Sequence, residues 1–216
     1  MNPNLAFCCV FIVLTLIFWL CNKYFNLLKD VSDAVKKPYS YSRVQLAYWT
    51  IIILSCFISI YLVTGQIPDF NNSSLILLGI SAGTTVTASL IDVSDQSKNI
   101  HLSQDDPGKN LFLDILSDKN GISINRLQTV IFNMVFGFWF MQNFLHNINT
   151  CYDIKVAVNA CNGCIAQINQ IIPIVTPNNL ILLGASSGTY AALKTNENKP
   201  GMTSAPNSPN ASPPAA

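Results

Sequence analysis

Five stretches of this chain contain no Asp, Glu, Lys or Arg and are otherwise almost wholly apolar: about Leu5–Leu20, Leu46–Thr64, Leu75–Ile91, Leu127–Leu145 and Leu180–Leu193. A helix needs about 20 apolar residues to cross ~30 Å of hydrocarbon, and in lipid a helix satisfies its own backbone hydrogen bonds. The expected fold class is therefore an all-α membrane protein with five transmembrane helices. The last run is short and must cross with little tilt or through a thinned bilayer. Only 11% of residues are charged and 50% are hydrophobic, whereas soluble domains carry about 25% charged residues. The net charge of +1 leaves no footprint for nucleic acid and no polybasic lipid patch. The expected partner is the lipid bilayer itself.

Two of the runs are copies of one pattern. Leu75-Ile76-Leu77-Leu78-Gly79-Ile80-Ser81-Ala82-Gly83-Thr84 returns as Leu180-Ile181-Leu182-Leu183-Gly184-Ala185-Ser186-Ser187-Gly188-Thr189. Upstream of each lies an Arg-x-Gln, Arg43/Gln45 and Arg126/Gln128, which opens a longer apolar run. The repeat unit is two hydrophobic helices and a connector, used twice in parallel after an N-terminal anchor. The two arginines stand 83 residues apart and the two leading glycines 105, so about 22 extra residues lie within the second unit. Those residues form the long loop Asn149–Asn179, and binding surfaces tend to sit on such insertions.

Basic residues set the orientation. With the N-terminus outside and the helices alternating, Lys23, Lys29, Lys36, Lys37, Arg43, Lys98, Lys109, Lys119, Arg126, Lys194 and Lys199 all fall inside, and Lys155 alone falls outside. That bias follows the positive-inside rule. It puts the C-terminal tail in the cytoplasm. Residues 1–38 read as an uncleaved anchor and inner connector, because the basic flank follows the apolar run instead of preceding it. A lipoprotein signal ending at Cys21 is disfavoured by the bulky Phe18-Trp19-Leu20 before it. Residues 39–92 form the first two-helix unit, 93–124 an inner loop with a short surface helix over Asn110–Ser117, and 125–194 the second unit. Residues 195–216, rich in Pro, Ser, Asn and Ala, form a tail with too few hydrophobic residues to fold.

Several constellations invite chemistry, and each has a plainer reading. Both glycine segments match the Gly-x-Ser-x-Gly nucleophile pattern, with Ser186 and His146 as the one conceivable dyad, but neither copy follows a strand as that elbow requires. Glycines four apart, Gly79/Gly83 and Gly184/Gly188, lie on one helix face. With Ser81, Ser186 and Ser187 they make a surface suited to close helix packing, within the chain or between subunits. Thr84, Thr85 and Thr87 continue the first copy and could line a narrow polar path, although threonines in lipid usually bond back to their own helix. No Asp, Glu, Lys or Arg lies within the spans, which argues against an ion-coupled carrier.

Arg43, Gln45, Arg126 and Gln128 read as inner-surface anchors that snorkel to phosphates and cap carbonyls. The sharper reading pairs each arginine with the inner end of a neighbouring helix, near Asp92 or the tail. Cys151, Cys161 and Cys164 in the external loop can form one disulfide and leave one thiol to link subunits; a zinc site would need His146 as its fourth ligand. Asp118–Gly121 fails as a calcium loop, since Leu116 and Leu127 would occupy ligand positions. No metal or cofactor is expected.

The motifs, taken in order, resemble a family of small bacterial integral membrane proteins. The resemblance runs over about Tyr39–Lys194: Ser-Arg-Val-Gln, Leu-Gly-Ile-Ser-Ala-Gly-Thr, Asp-Ile-Leu-Ser-Asp, Gly-Ile-Ser, Arg-Leu-Gln and Leu-Gly-Ala-Ser-Ser-Gly-Thr-Tyr. It implies a bacterial inner membrane and brings no activity with it. This chain departs from the pattern in its long, cysteine-bearing external loop. The functional expectation is a non-enzymatic, homo-oligomeric scaffold or sensor subunit. The alternatives are a passive oligomeric pore and, more weakly, an intramembrane serine hydrolase.

Overall fold

The computed structural model describes residues 2–30, 32, 34–97, 107–118, 121–158 and 168–197. Helix α1 (Pro3–Phe25) starts at an Asn2 cap, whose side chain accepts from Asn4 N, with Pro3 in the first turn; it ends at Asn26 in the left-handed region. α2 (Tyr41–Thr64) ends at Gly65, φ 77°, where a side chain would be strained. α3 spans Asn72–Ser97, and Asn71 caps it by accepting from Ser74 N at 2.8 Å. A short α4 (Leu111–Leu116) leads into a two-stranded hairpin, β1 (Ser117–Asp118) with β2 (Gly121–Ile122). Then come α5 (Ile124–Val158), the single turn α6 (Ile168–Ile171) and α7 (Pro177–Glu197).

Three of these helices, α1, α2 and α3, are long and apolar enough to cross a membrane. α1 carries the argument furthest. It packs on α2 and, through Ala6 and Phe7, against Phe144 of α5, yet leaves Leu5, Ile12, Val13, Leu16, Ile17 and Trp19 exposed. An apolar face of that extent is foreign to soluble monomers and natural in lipid. α5 and α7 are more polar overall. α5 is 35 residues long, about 52 Å at 1.5 Å per residue, well beyond the hydrocarbon thickness. α7 has 21 residues, longer than the apolar run that marks it, so about 31 Å of helix is available.

The core is built on α2. Trp49, Ile52, Ile53, Cys56 and Ile60 recur at helical spacing and are buried against Phe140, Phe144 and Ile148 of α5, with Leu77 of α3 and Leu183 of α7. Side-chain contacts give the helix directions. Asp92 and Lys194 meet near the C-terminal ends of α3 and α7, while Ser73 at the start of α3 accepts from Val175 N just before α7. α3 and α7 therefore lie side by side and run the same way. α2 and α5 also run together, joined by Tyr41 to Asn133 nearer their starts and by Trp49 to Phe140 further along. The end where α2 and α5 begin is called the basic end below, and the opposite one the far end.

At the far end the long connector is not a free loop. α5 continues as helix to Val158, and Ile168, Ile171, Ile172 and Val175 are buried among the core helices. Asn71 donates to the carbonyls of Ile172 and Pro173, both at 3.1 Å, so one side chain caps α3 and holds the returning chain. The inserted residues thus help close the far end of the bundle. Cys151 is held in a disulfide, which removes its thiolate from any zinc set; Cys161 and Cys164 lie outside the described residues, as does the tail beyond residue 197.

At the basic end the two connectors dock on each other. Residues 26–40 fold back so that Lys29 pairs with Tyr39, with Asp30 N donating to Pro38 O and Ser40 N to Leu28 O. Gly108 N donates to Lys36 O, and a Cβ on Gly108 would stand 2.8 Å from Pro38 Cα, so this backbone crossing admits glycine alone without a shift. Asp114 of α4 accepts from Tyr39 N and Lys109 N. Phe112 and Leu113 of α4 remain exposed, while Ile115 packs on Tyr41, Ala88 and Tyr190.

Candidate functional site

The residues that carry chemistry converge at the basic end, in two layers. The deeper layer is a neutral network. Tyr41, Gln45 and Trp49 follow at four-residue spacing on one face of α2, and all three are buried. They meet Asn133 of α5 and Ser187 of α7. Asn133 Oδ1 accepts from Trp49 Nε1 at 2.7 Å and from Gln45 Nε2 at 3.4 Å; its Nδ2 donates to Thr129 O at 2.8 Å and to Tyr41 Oη at 3.4 Å. Gln45 Nε2 also donates to Ser187 Oγ at 3.0 Å, while Gln45 Oε1 has no partner among the described residues. Interhelical hydrogen bonds in lipid contribute about 0.6 kcal/mol each on average. The network's larger effect is on specificity, because a helix rotation would strand several buried polar groups at once.

The second layer is ionic. Lys194 on α7 is 1% exposed and donates to Asp92 Oδ2 of α3 at 2.8 Å and to Asp30 Oδ2 of the first connector at 3.4 Å. Burial alone would push this ammonium down. Tyr190 and the carboxylates of Asp30 and Asp92 outweigh it and hold the group above the ordinary lysine range. Next to the triad, Arg126 of α5 donates to Ser117 O and stands over the Tyr190 ring at 5.3 Å; Tyr190 in turn packs on Tyr41 at 4.7 Å. The two layers join α2, α3, α5, α7 and both connectors.

The sequence-derived sites divide. Gln45 is no surface anchor but turns inward into the network; Gln128 at the matching place on α5 is exposed. Asp92 is paired with Lys194. Arg126 does reach the neighbouring helix, where it stands over the Tyr190 ring. The glycine segments do not pack as one surface. Ser81 lies two positions, and so about 200° around the helix, from both Gly79 and Gly83. The face of α3 turned inward is Leu77, Ser81, Thr84, Ala88 and Asp92, and on α7 it is Leu183, Ser187, Tyr190 and Lys194. A Cβ on Gly79, Gly83 or Gly188 would meet no atom within 4 Å; on Gly184 it would touch Ile80 at 3.6 Å.

The polar positions of the remaining alternatives are occupied by local bonds. Thr84 bonds back to Ile80 O, Thr85 donates to Ser42 O and Ser81 O, and Thr87 is exposed on the outside of α3. Ser186 Oγ bonds back to Leu182 O. His146 lies at the far end, where it lines a shallow pocket of about 170 Å³ with Asn147, Thr150, Cys151, Gln170 and Ile171; Ser186 is not in its wall.

Two things escaped the sequence: the Lys194 triad and the close approach at Gly137. A Cβ on Gly137 would fall 1.9 Å from Tyr48 Oη. The inward stripe ending in Lys194 was visible in principle, since Leu183, Ser187, Tyr190 and Lys194 keep helical spacing. No family model, curated protein or solved structure matches the chain.

Proposed function

We propose that this protein is a non-enzymatic, multi-pass protein of a bacterial inner membrane that assembles with itself and serves as a scaffold or sensor subunit. In this reading all five long helices span, the N-terminus is outside, and the basic end with the C-terminal tail faces the cytoplasm. The two hairpins α2–α3 and α5–α7 descend from one duplicated segment. The lengths of α5 and α7, and the shared direction of the paired helices, support that arrangement.

The observation that carries self-assembly is the outward position of Gly79, Gly83 and Gly188, each with open space where a side chain would stand. Exposed glycines let a second helix backbone come close, which is how helices associate where water provides no driving force. A pore, if one forms, would have to arise between copies, since Thr84 and Thr85 are bonded within the chain. The test is the mass of the protein in mild detergent. The Gly79→Leu/Gly83→Leu double variant is expected to convert the oligomer to monomer, weakening association at least tenfold. A wild-type monomer, or an oligomer indifferent to the double substitution, would refute self-assembly through this face.

A further inference from the structure

Arg43 sits in a setting quite unlike that of its counterpart. On α2 the residues Arg43, Leu46, Ala47 and Thr50 fall at i, i+3, i+4 and i+7 and floor a groove of about 360 Å³. One wall is Phe18 of α1 with Leu27 and Leu28 of the connector; the other is Thr85 and Ser89, one turn apart on α3. α1 and α3 both pack on α2 without a substantial interface between them, which leaves the cleft open at its side. Its three helices are those long and apolar enough to lie in a membrane. Arg43 is half-buried at the basic end of this groove and has no hydrogen bond or ion pair among the described residues; the same holds for the half-buried Ser89.

The second glycine segment shows what fills such a space. The positions matching Arg43, Thr85 and Ser89 are Arg126, Tyr190 and Lys194. There the arginine lies over the tyrosine ring, and the lysine is bound to two carboxylates. Where the second half has a large ring and a long cation, the first has two small hydroxyl residues and a void.

We propose that this void is the seat of one resident anionic phospholipid, its phosphate on Arg43 and a headgroup or ester oxygen on Ser89, with one acyl chain along Leu46, Ala47 and Phe18. Charge selects the headgroup: a phosphodiester with no compensating cation neutralises Arg43, and a guanidinium matches phosphate oxygens in paired hydrogen bonds. The largely aliphatic walls select the chain, since water would gain few partners there. This goes beyond the self-assembly reading and does not depend on it.

The experiment is native mass spectrometry of the full chain released from mild detergent, after exchange into vesicles of phosphatidylglycerol or of phosphatidylcholine. The wild type is expected to retain about one phosphatidylglycerol per chain, and phosphatidylcholine at least tenfold less. Arg43→Gln and, independently, Thr85→Tyr, which places the second half's ring in the groove, should each reduce retention about tenfold. Lys109→Gln, at the same end but outside the groove, should leave it unchanged. Circular dichroism confirms that each variant compared is folded, and the wild-type preference between the two lipids needs no variant. Equal retention of both lipids, loss in Lys109→Gln as large as in Arg43→Gln, or retention by a folded Thr85→Tyr would each overturn the assignment.

Discussion

Replacing Lys194 with methionine is expected to destabilise the protein by about 3–5 kcal/mol, the cost found when one partner of a buried ion pair is removed. Methionine preserves most of the apolar stem, so packing changes little. What remains is Asp92, whose side chain is 0% exposed, beside Asp30 at 9%, without the ammonium between them. Their repulsion and desolvation then lose the compensation that the ammonium supplied. Asp92→Asn should partly rescue the methionine variant, whereas Asp30→Asn, at the longer and wetter contact, should rescue it less. Unfolding in mixed micelles reads all of these as a double-mutant cycle. A loss below about 1 kcal/mol for Lys194→Met would mean that the triad ties nothing together. The raised affinity of Lys194 for its proton fixes the pH window. The charge is fully present below the ordinary lysine value of 10.5 and is lost only as pH rises through the still higher folded value. Lys194 therefore gives the triad no switch near neutral pH.

The second large effect is expected at Gly137. In a helix interior, alanine is favoured over glycine by about 1 kcal/mol, so Gly137→Ala would stabilise an isolated helix. Here the new methyl would lie 1.9 Å from Tyr48 Oη, 2.6 Å from Cζ and 2.8 Å from Cε1. The ring must leave its place against the core, where it also meets Trp49 edge-on at 5.6 Å. Overpacking costs about 1–3 kcal/mol, and the net expectation is a loss of about 2 kcal/mol. The three nearest atoms all belong to Tyr48: in a Tyr48→Ala background, Gly137→Ala should be neutral or stabilising. Equal losses in both backgrounds would show that Gly137 is confined by something other than that ring.

These two residues also mark how far the sequence could be read. Apolar runs and their spacing give the helices, but α2 is apolar all round, so periodicity does not show that Trp49 to Ile60 is its inward stripe. Small-residue motifs are ambiguous in a way that no single sequence resolves. Gly79 and Gly83 share a face, but Ser81 between them belongs to the opposite one, and only packing decides which is turned inward. The triad depends on pairings 102 and 164 residues apart, and Asp30 reaches its place through a folded connector without hydrophobic periodicity. The far end is hard to read for a related reason. The buried Ile168, Ile171, Ile172 and Val175 are too few to announce a helix, and they matter because they fill the space left between longer ones.

The central claim is that the two hairpins cross the membrane the same way round, so both connectors lie on one side. Single cysteines at Lys37 and Lys109 report the basic end, and at Ile67 and Ile174 the far end; all four positions are exposed. They are placed in a background in which all seven native cysteines, Cys151, Cys161 and Cys164 of the loop included, are replaced by alanine. With a membrane-impermeant thiol reagent on intact cells, Ile67→Cys and Ile174→Cys are expected to label. Lys37→Cys and Lys109→Cys should label only once the membrane is opened. Labelling of Lys37→Cys and Lys109→Cys from opposite sides would contradict the account.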